Sequence, residues 1–280
     1  MFCHARRGRG TILSAMTEIP VFDIERRSGP LLISIPHVGA AIPDDLRDVY
    51  TPDALSLADT DWHLDRLYDF AARLNATVLR ARYSRYVIDL NRPATGESLY
   101  PGMITTTLCA TETFRGEPVY NEGLEPDQAE IDRRIARYWR PYHTALQEEI
   151  ARLRKSHSEV LLWEAHSIAS VLPRLFAGKL PDLNFGTSDG QSCGDSVIAA
   201  AVDAVRGSER SWVLNGRFKG GFITRKYGDP ANGVHAIQLE MCQSIYMEEV
   251  APFDWRSDLA SDVAPLVETA MKSALGQLRS

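Results

Sequence analysis

Two periods of apolar spacing run through the chain, one suited to strands and one to helices. The run "LLISI" (31–35) is apolar but for Ser34 and β-prone, stops before Pro36, and reads as a buried strand. "ATVLRARY" and "RYVIDL" read as two short strands. "EVLLWEAHS" (159–167), "SWVLNG" and "GVHAIQLEM" (233–241) supply three more. Between them lie helical spacings. In "TPDALSLADTDWHLDRLYDFAARLN" (51–75), Thr51 is the expected N-cap and Pro52 the first helical residue. Its second half spaces Leu64, Leu67, Phe70, Ala71 and Leu74 along one face. "EPDQAEIDRRIARYWRPYHTALQEEIARLRKS" predicts a long helix opened by Pro126 and kinked near Pro141. "QSCGDSVIAAAVDAV" predicts another, and "WRSDLASDVAPLVETAMKSALGQL" an amphipathic closing helix with Pro265 inside it. Stretches rich in Pro and Gly, up to about residue 125 and over 170–190, predict two long loops.

Alternating strands and helices predict an α/β fold. No linker or internal repeat divides the chain, so residues 17–280 are expected to form one domain. Residues 1–16 are expected to be disordered or an over-extended start, with Met16 the natural first residue.

Composition narrows the function classes. A net charge of -6 argues against a general nucleic-acid binder, which needs a basic surface. No apolar run is long enough to span a bilayer, and the basic N-terminus lacks the apolar centre of a secretory signal. The cysteines (Cys3, Cys109, Cys193 and Cys242) show no CxxC spacing, which predicts a reduced, cytoplasmic chain. The expected partner is a small molecule; oligomeric state is left open.

Chemistry gathers where strands stop. His37 follows "ISIP", His166 follows "LLWEA" and Glu240 follows "HAIQL". Open α/β sheets bind ligands beyond the carboxyl ends of their strands, so these residues can meet along one edge. Two histidines and a carboxylate suit a catalytic zinc site, which leaves a position for water. Taken singly, each histidine reads more readily as a hydrogen-bonded structural residue; two arriving by the same strand-to-loop device shift the balance toward a site. In "LADTDWH", Asp59 and His63 would share a helix face while Asp61 points elsewhere; acids here also suit the helix dipole. In "SRYVIDLNR", Arg85 and Arg92 offer guanidinium forks for a carboxylate, with Asp89 and Asn91 beside them. The alternative is a solvated, charged strand edge. "GRFKGGFITRKYGDP" (216–230) combines Gly220 and Gly221, which permit close backbone approach, with Arg217, Lys219 and Arg225; a cationic hairpin would look the same.

Together and in order, "SIPHVG", "DTDWHLDRLYDF", "SRYVIDLNR", "WEAHS", "FKGGFITRKYG" and "HAIQLEM" resemble the motifs of the N-formylglutamate amidohydrolases, enzymes of histidine degradation. The likeness extends from about residue 20 to the end, and is more distant to aspartoacylase and the zinc carboxypeptidases. It implies a three-layer α/β/α architecture around a mixed, largely parallel sheet. It also implies metal-dependent hydrolysis of N-formyl-L-glutamate to formate and L-glutamate, with one divalent ion, zinc for preference. By the same likeness His37 and His166 are ligands, Glu240 the general base, and Arg85 the group polarising the carbonyl. Asn91 and Arg92 would grip one substrate carboxylate, and Arg225 with Gly221 would serve the other end. The distant relatives take their carboxylate ligand three residues after the first histidine, where this chain has Ala40. Asp61 is the expected replacement, with Asp59 behind it. His63, His143 and His235 either line the site or sit in the core. The rival readings are a hydrolase of another N-acyl acidic amino acid, a small carboxypeptidase, or a non-catalytic binder of acidic amino acids. No GxSxG elbow favours a serine hydrolase.

Overall fold

The computed structural model describes residues 19–99, 102 and 105–279; the expectations for residues 1–16 lie outside them. Seven strands form one sheet in the order β1-β3-β2-β4-β7-β5-β6. They are β1 (Phe22–Glu25), β2 (Leu31–Ile35), β3 (Thr77–Ala81), β4 (Val160–Ile168), β5 (Leu183–Gly186), β6 (Trp212–Leu214) and β7 (Val234–Cys242). The central strands β3, β2, β4 and β7 run parallel, so their carboxyl ends share one edge. β1 and β5 are antiparallel to their neighbours β3 and β7.

Every residue of β2 and β4 is buried, as expected of mainly apolar strands with both sheet faces covered. Odd and even positions face different layers. Leu31, Ile33, Ile35, Leu161 and Trp163 join a core completed by α6 (Asp195–Arg206) and α8 (Ser257–Leu275). Leu32, Leu79 and Leu162 face the other side, against Tyr142, Ala145 and Leu146 of α5 (Arg140–Arg154). The architecture is three-layer α/β/α, as the likeness implied. Among the described residues, no helix is long and apolar enough to cross a membrane.

Several local expectations are corrected. The 51–75 helix is broken into α2 (Pro52–Leu55), α3 (Leu64–Leu67) and a 3-10 stretch (Asp69–Leu74). Thr51 does cap α2, accepting from the Ala54 N–H. Leu57 and His63 then take left-handed backbone angles that no helix can contain. "RYVIDL" is no strand: Tyr86, Val87, Ile88 and Leu90 are buried in an irregular segment. A loop buried under a helix shows the same apolar pattern as a strand. The 170–190 loop contains β5, and β1 and α1 (Asp44–Arg47) carry no strong periodicity. The long helix is there but interrupted: α4 (Gln128–Arg134), a π turn (Ile135–Trp139), then α5. Its N-cap is Asp127, one residue past Pro126. Pro141 has no N–H to give back into the preceding turn, which is where the irregularity sits. The 216–230 segment is a loop leading into α7 (Phe222–Tyr227), not a hairpin.

Gly39 explains how the loops after β2 and β3 travel together. A Cβ there would collide with the Arg82 and Tyr83 backbone. Beyond it the Ala41 N–H donates to the Arg82 carbonyl and the Ala41 carbonyl accepts from the Ser84 N–H.

Candidate metal centre and catalytic cavity

His37, two residues past β2, and His166, inside β4, bring their rings to a centroid separation of 4.9 Å. Between them stands Asp61. The Asp61 N–H donates to the His37 carbonyl, and the left-handed turn at His63 follows at once. Asp61 Oδ2 lies 3.8 Å from His37 Nδ1 and 3.2 Å from His166 Nδ1. All three side chains are buried, and their potential ligand atoms lie within 4.8 Å of one another. Donors bonded at about 2.0–2.1 Å in a tetrahedron stand roughly 3.3 Å apart, a value that the two Asp61 separations bracket. His37 Nδ1 and Asp61 Oδ1 are buried without a hydrogen-bond partner. Such atoms are costly unless something else satisfies them, and a cation would. Asp59 is not part of the cluster: its Oδ2 accepts from the Phe114 N–H at 2.7 Å.

Two further groups fix the first histidine. Nε2 of His37 meets Asp89 Oδ1 at 2.8 Å, the carboxylate support that orients metal-binding imidazoles. Burial, then the Arg85 charge, push the His37 imidazole down to about 4, so it is neutral, as a ligand must be. Burial alone would raise the Asp89 carboxyl, but the Arg85 and Arg92 charges and the hydrogen bond from His37 outweigh it and hold it well below the usual range. Arg85 donates to Asp89 Oδ2 at 2.8 Å, lies 3.8 Å from Asp61 and stacks over Phe114. Burial disfavours its charge, yet Asp89, Asp61 and Asp59 keep it cationic.

The cluster opens into a cavity of about 620 Å³, counting its mouth. His37, Arg85, Asn91, Arg92, His166, Gly221 and Glu240 all line it. Glu240 pairs with His166 in the parallel β4–β7 register. Burial raises its carboxyl well above the usual range, Asp61 adds to this, and Arg85, Arg92 and Arg217 oppose it. Asn91 Oδ1 accepts from the Ile223 N–H, and its amide nitrogen lies 3.0 Å from His166 Nε2. A Cβ on Gly221 would strike the Asn91 amide, so glycine is required for packing as well as for access. Arg92 is tied to Thr106 by its Nε and Nη2 donors.

Arg225 does not line the cavity; its Nε donates to the Gly220 carbonyl. Arg217, on the preceding loop, lines it instead, next to Phe218. Sequence reasoning named Arg217 as one basic group among several and had no signal to rank it above Arg225. Gln238 was missed altogether: one strand period before Glu240, it also lines the cavity and accepts from the Gly221 N–H. The other histidines weighed from the sequence lie away from the cluster. His63 bonds the Phe253 carbonyl, His143 packs under α7, and His235 accepts from the Gly194 N–H.

Comparison with known proteins gives one consistent result. A family model described as N-formylglutamate amidohydrolase matches residues 29–247. A curated N-formylglutamate deformylase of Pseudomonas putida is 51% identical over 248 residues, covering 88% of this chain and 92% of its own. One from Pseudomonas aeruginosa is 47% identical over 257 residues, covering 91% and 96%. Among solved structures, an N-formylglutamate amidohydrolase from Ralstonia eutropha superposes with a TM-score of 0.78 at 25% identity, covering 91% of this chain and 98% of that one.

Proposed function

The chain belongs to the N-formylglutamate amidohydrolase family, and from that premise we propose that it hydrolyses N-formyl-L-glutamate to formate and L-glutamate using one divalent ion, zinc for preference. The observation that carries the metal-dependent reading is the convergence of His37, Asp61 and His166, whose two histidines line a cavity shared with Glu240. Those three side chains would hold the ion. When bound, it would supply Lewis acidity, polarising an amide carbonyl and lowering the pKa of a water.

The remaining roles fall to the chain itself. Glu240 takes a proton from the attacking water and delivers it to the departing amine nitrogen as the C–N bond breaks. Its raised affinity for protons suits a group that must hold one between those two events. Arg85, held cationic by its acidic neighbours, faces the negative charge that grows on the formyl oxygen. The substrate carries two carboxylates and requires two cationic anchors. Asn91 with Arg92 takes one, and Arg217 takes the other in place of Arg225. Phe114, Leu175 and Phe218 narrow the same cavity and limit the size of the acyl group. The resemblance assigns this hydrolysis to the end of histidine degradation.

Formate release from N-formylglutamate, measured before and after exhaustive chelation with metal content assayed in parallel, tests the reading. Loss of activity on chelation and recovery with zinc is expected. Full turnover by metal-free protein would remove the ion from the mechanism.

A further inference from the structure

The interruption of the long helix lies against the segment that carries Asp89, Asn91 and Arg92. Three side chains reach from this helix to three carbonyls of that segment. Arg134 Nη1 donates to the Val87 carbonyl at 3.0 Å. His143 Nε2 meets the Leu90 carbonyl at 2.9 Å, and Trp139 Nε1 donates to the Arg92 carbonyl at 2.9 Å. A carbonyl only accepts, so His143 carries its proton on Nε2, leaving Nδ1 to accept from the Tyr227 hydroxyl at 2.9 Å. The Trp139 and His143 rings stack at 3.8 Å, so each fixes the other's orientation. Tyr227 closes α7, whose Ile223 N–H holds the Asn91 amide oxygen from the opposite side.

Helical register explains why the π turn matters. Trp139 and His143 are four apart and share a face of any α-helix. Arg134 and Trp139 are five apart, and a regular α-helix would turn them about 140° away from each other. A π turn, closed by i→i+5 bonds, brings residues five apart nearly over one another. It lies at Ile135–Trp139, between the two. The extra residue therefore puts all three donors on the side facing the segment.

We propose that this π turn is a positioning device for the substrate grip: Arg134, Trp139 and His143 hold the carbonyls of Val87, Arg92 and Leu90 and so set where Asn91 and Arg92 present their side chains. The consequence for binding rests on the assignment of Asn91 and Arg92 given above.

Trp139→Phe removes one N–H and keeps the ring stack. It is expected to raise KM for N-formylglutamate about ten-fold, the scale of one lost hydrogen bond, with kcat within about two-fold and bound metal unchanged. In hydrogen-exchange mass spectrometry, the peptide spanning residues 87–92 is expected to exchange faster, while β4 and β7 keep their protection. His143→Gln, which restores a donor near the Nε2 position, is expected to keep a near-parental KM, and His143→Leu to raise it. Arg92→Lys, measured alongside, separates the two ideas. If it leaves KM unchanged, the grip is misassigned and the exchange result alone decides the clamp. Unaltered exchange at 87–92 in Trp139→Phe overturns the proposal, and so does an unaltered KM where Arg92→Lys raises it.

Discussion

The β4–β7 pair and the Ser84–Arg92 segment face the same cavity and are held by different physics. Along β4 and β7, nine consecutive residue pairs fix His166 opposite Glu240. No single bond in that ladder decides where either side chain stands. The Ser84–Arg92 segment has no ladder. Asp89 N–H donates to the Leu108 carbonyl, Asn91 N–H to Asp89 Oδ1, and helix donors take the outward carbonyls. Each support can be removed singly. Substitution on the strands should therefore change chemistry at a fixed place, whereas substitution around the segment should move the place itself.

The largest effect is expected on the strand side. Glu240→Gln should lower kcat about 100-fold or more, the usual contribution of a positioned proton carrier, with metal content unaltered. Parental turnover in that variant would remove Glu240 from the reaction, and metal loss would show that the strand pair is not independent of the cluster. On the segment side, Asp89→Asn weakens the support behind His37 and should lower metal affinity by about 10–100-fold, read by competition with a chelator. Unchanged affinity would mean His37 is oriented by β2 alone. Next, Arg92→Lys should raise KM about ten-fold at near-constant kcat, since a point charge cannot reproduce the fork.

The contrast also explains what the amino-acid pattern could reveal. β2, β4 and β7 were legible because doubly covered strands carry apolar residues on both faces, and His37, His166 and Glu240 could be found just past or near their carboxyl ends. The 85–90 stretch carries the same apolar signal, yet its burial comes from a helix lying over it. Periodicity reports burial and cannot report hydrogen-bond partners. For the same reason Leu57 and His63 gave no warning of their left-handed angles, and the 51–75 helix was drawn too long. Choosing Arg217 over Arg225 required knowing which side of Gly220 and Gly221 faces the cavity, which is a property of backbone path. Pro141 marked the interrupted helix, but the identity of the break as a π turn depends on what the helix packs against.

The smallest expected effect concerns pH. Burial pushes His143 down to about 4 from 6.5, so the fold favours its neutral form. Between those values the unfolded chain binds the extra proton. His143 therefore contributes stability that is complete above about 6.5 and is lost as pH falls toward 4. Denaturant titrations at intervals across this window should show a shallower decline for His143→Gln than for the parent. Identical slopes would mean that the ring is already protonated in the fold.

Gly39 has a consequence for how the site can change over time. The imidazole that follows β2 and the guanidinium that follows β3 belong to stretches pressed backbone to backbone at this glycine. Even one methyl group would wedge them apart, separating His37 from Arg85 and so the proposed anchorage of the ion from the cation proposed for the reacting oxygen. Variation here is thus closed to every side chain, whereas a side chain of the cavity wall such as Leu175 can change size without parting two backbones.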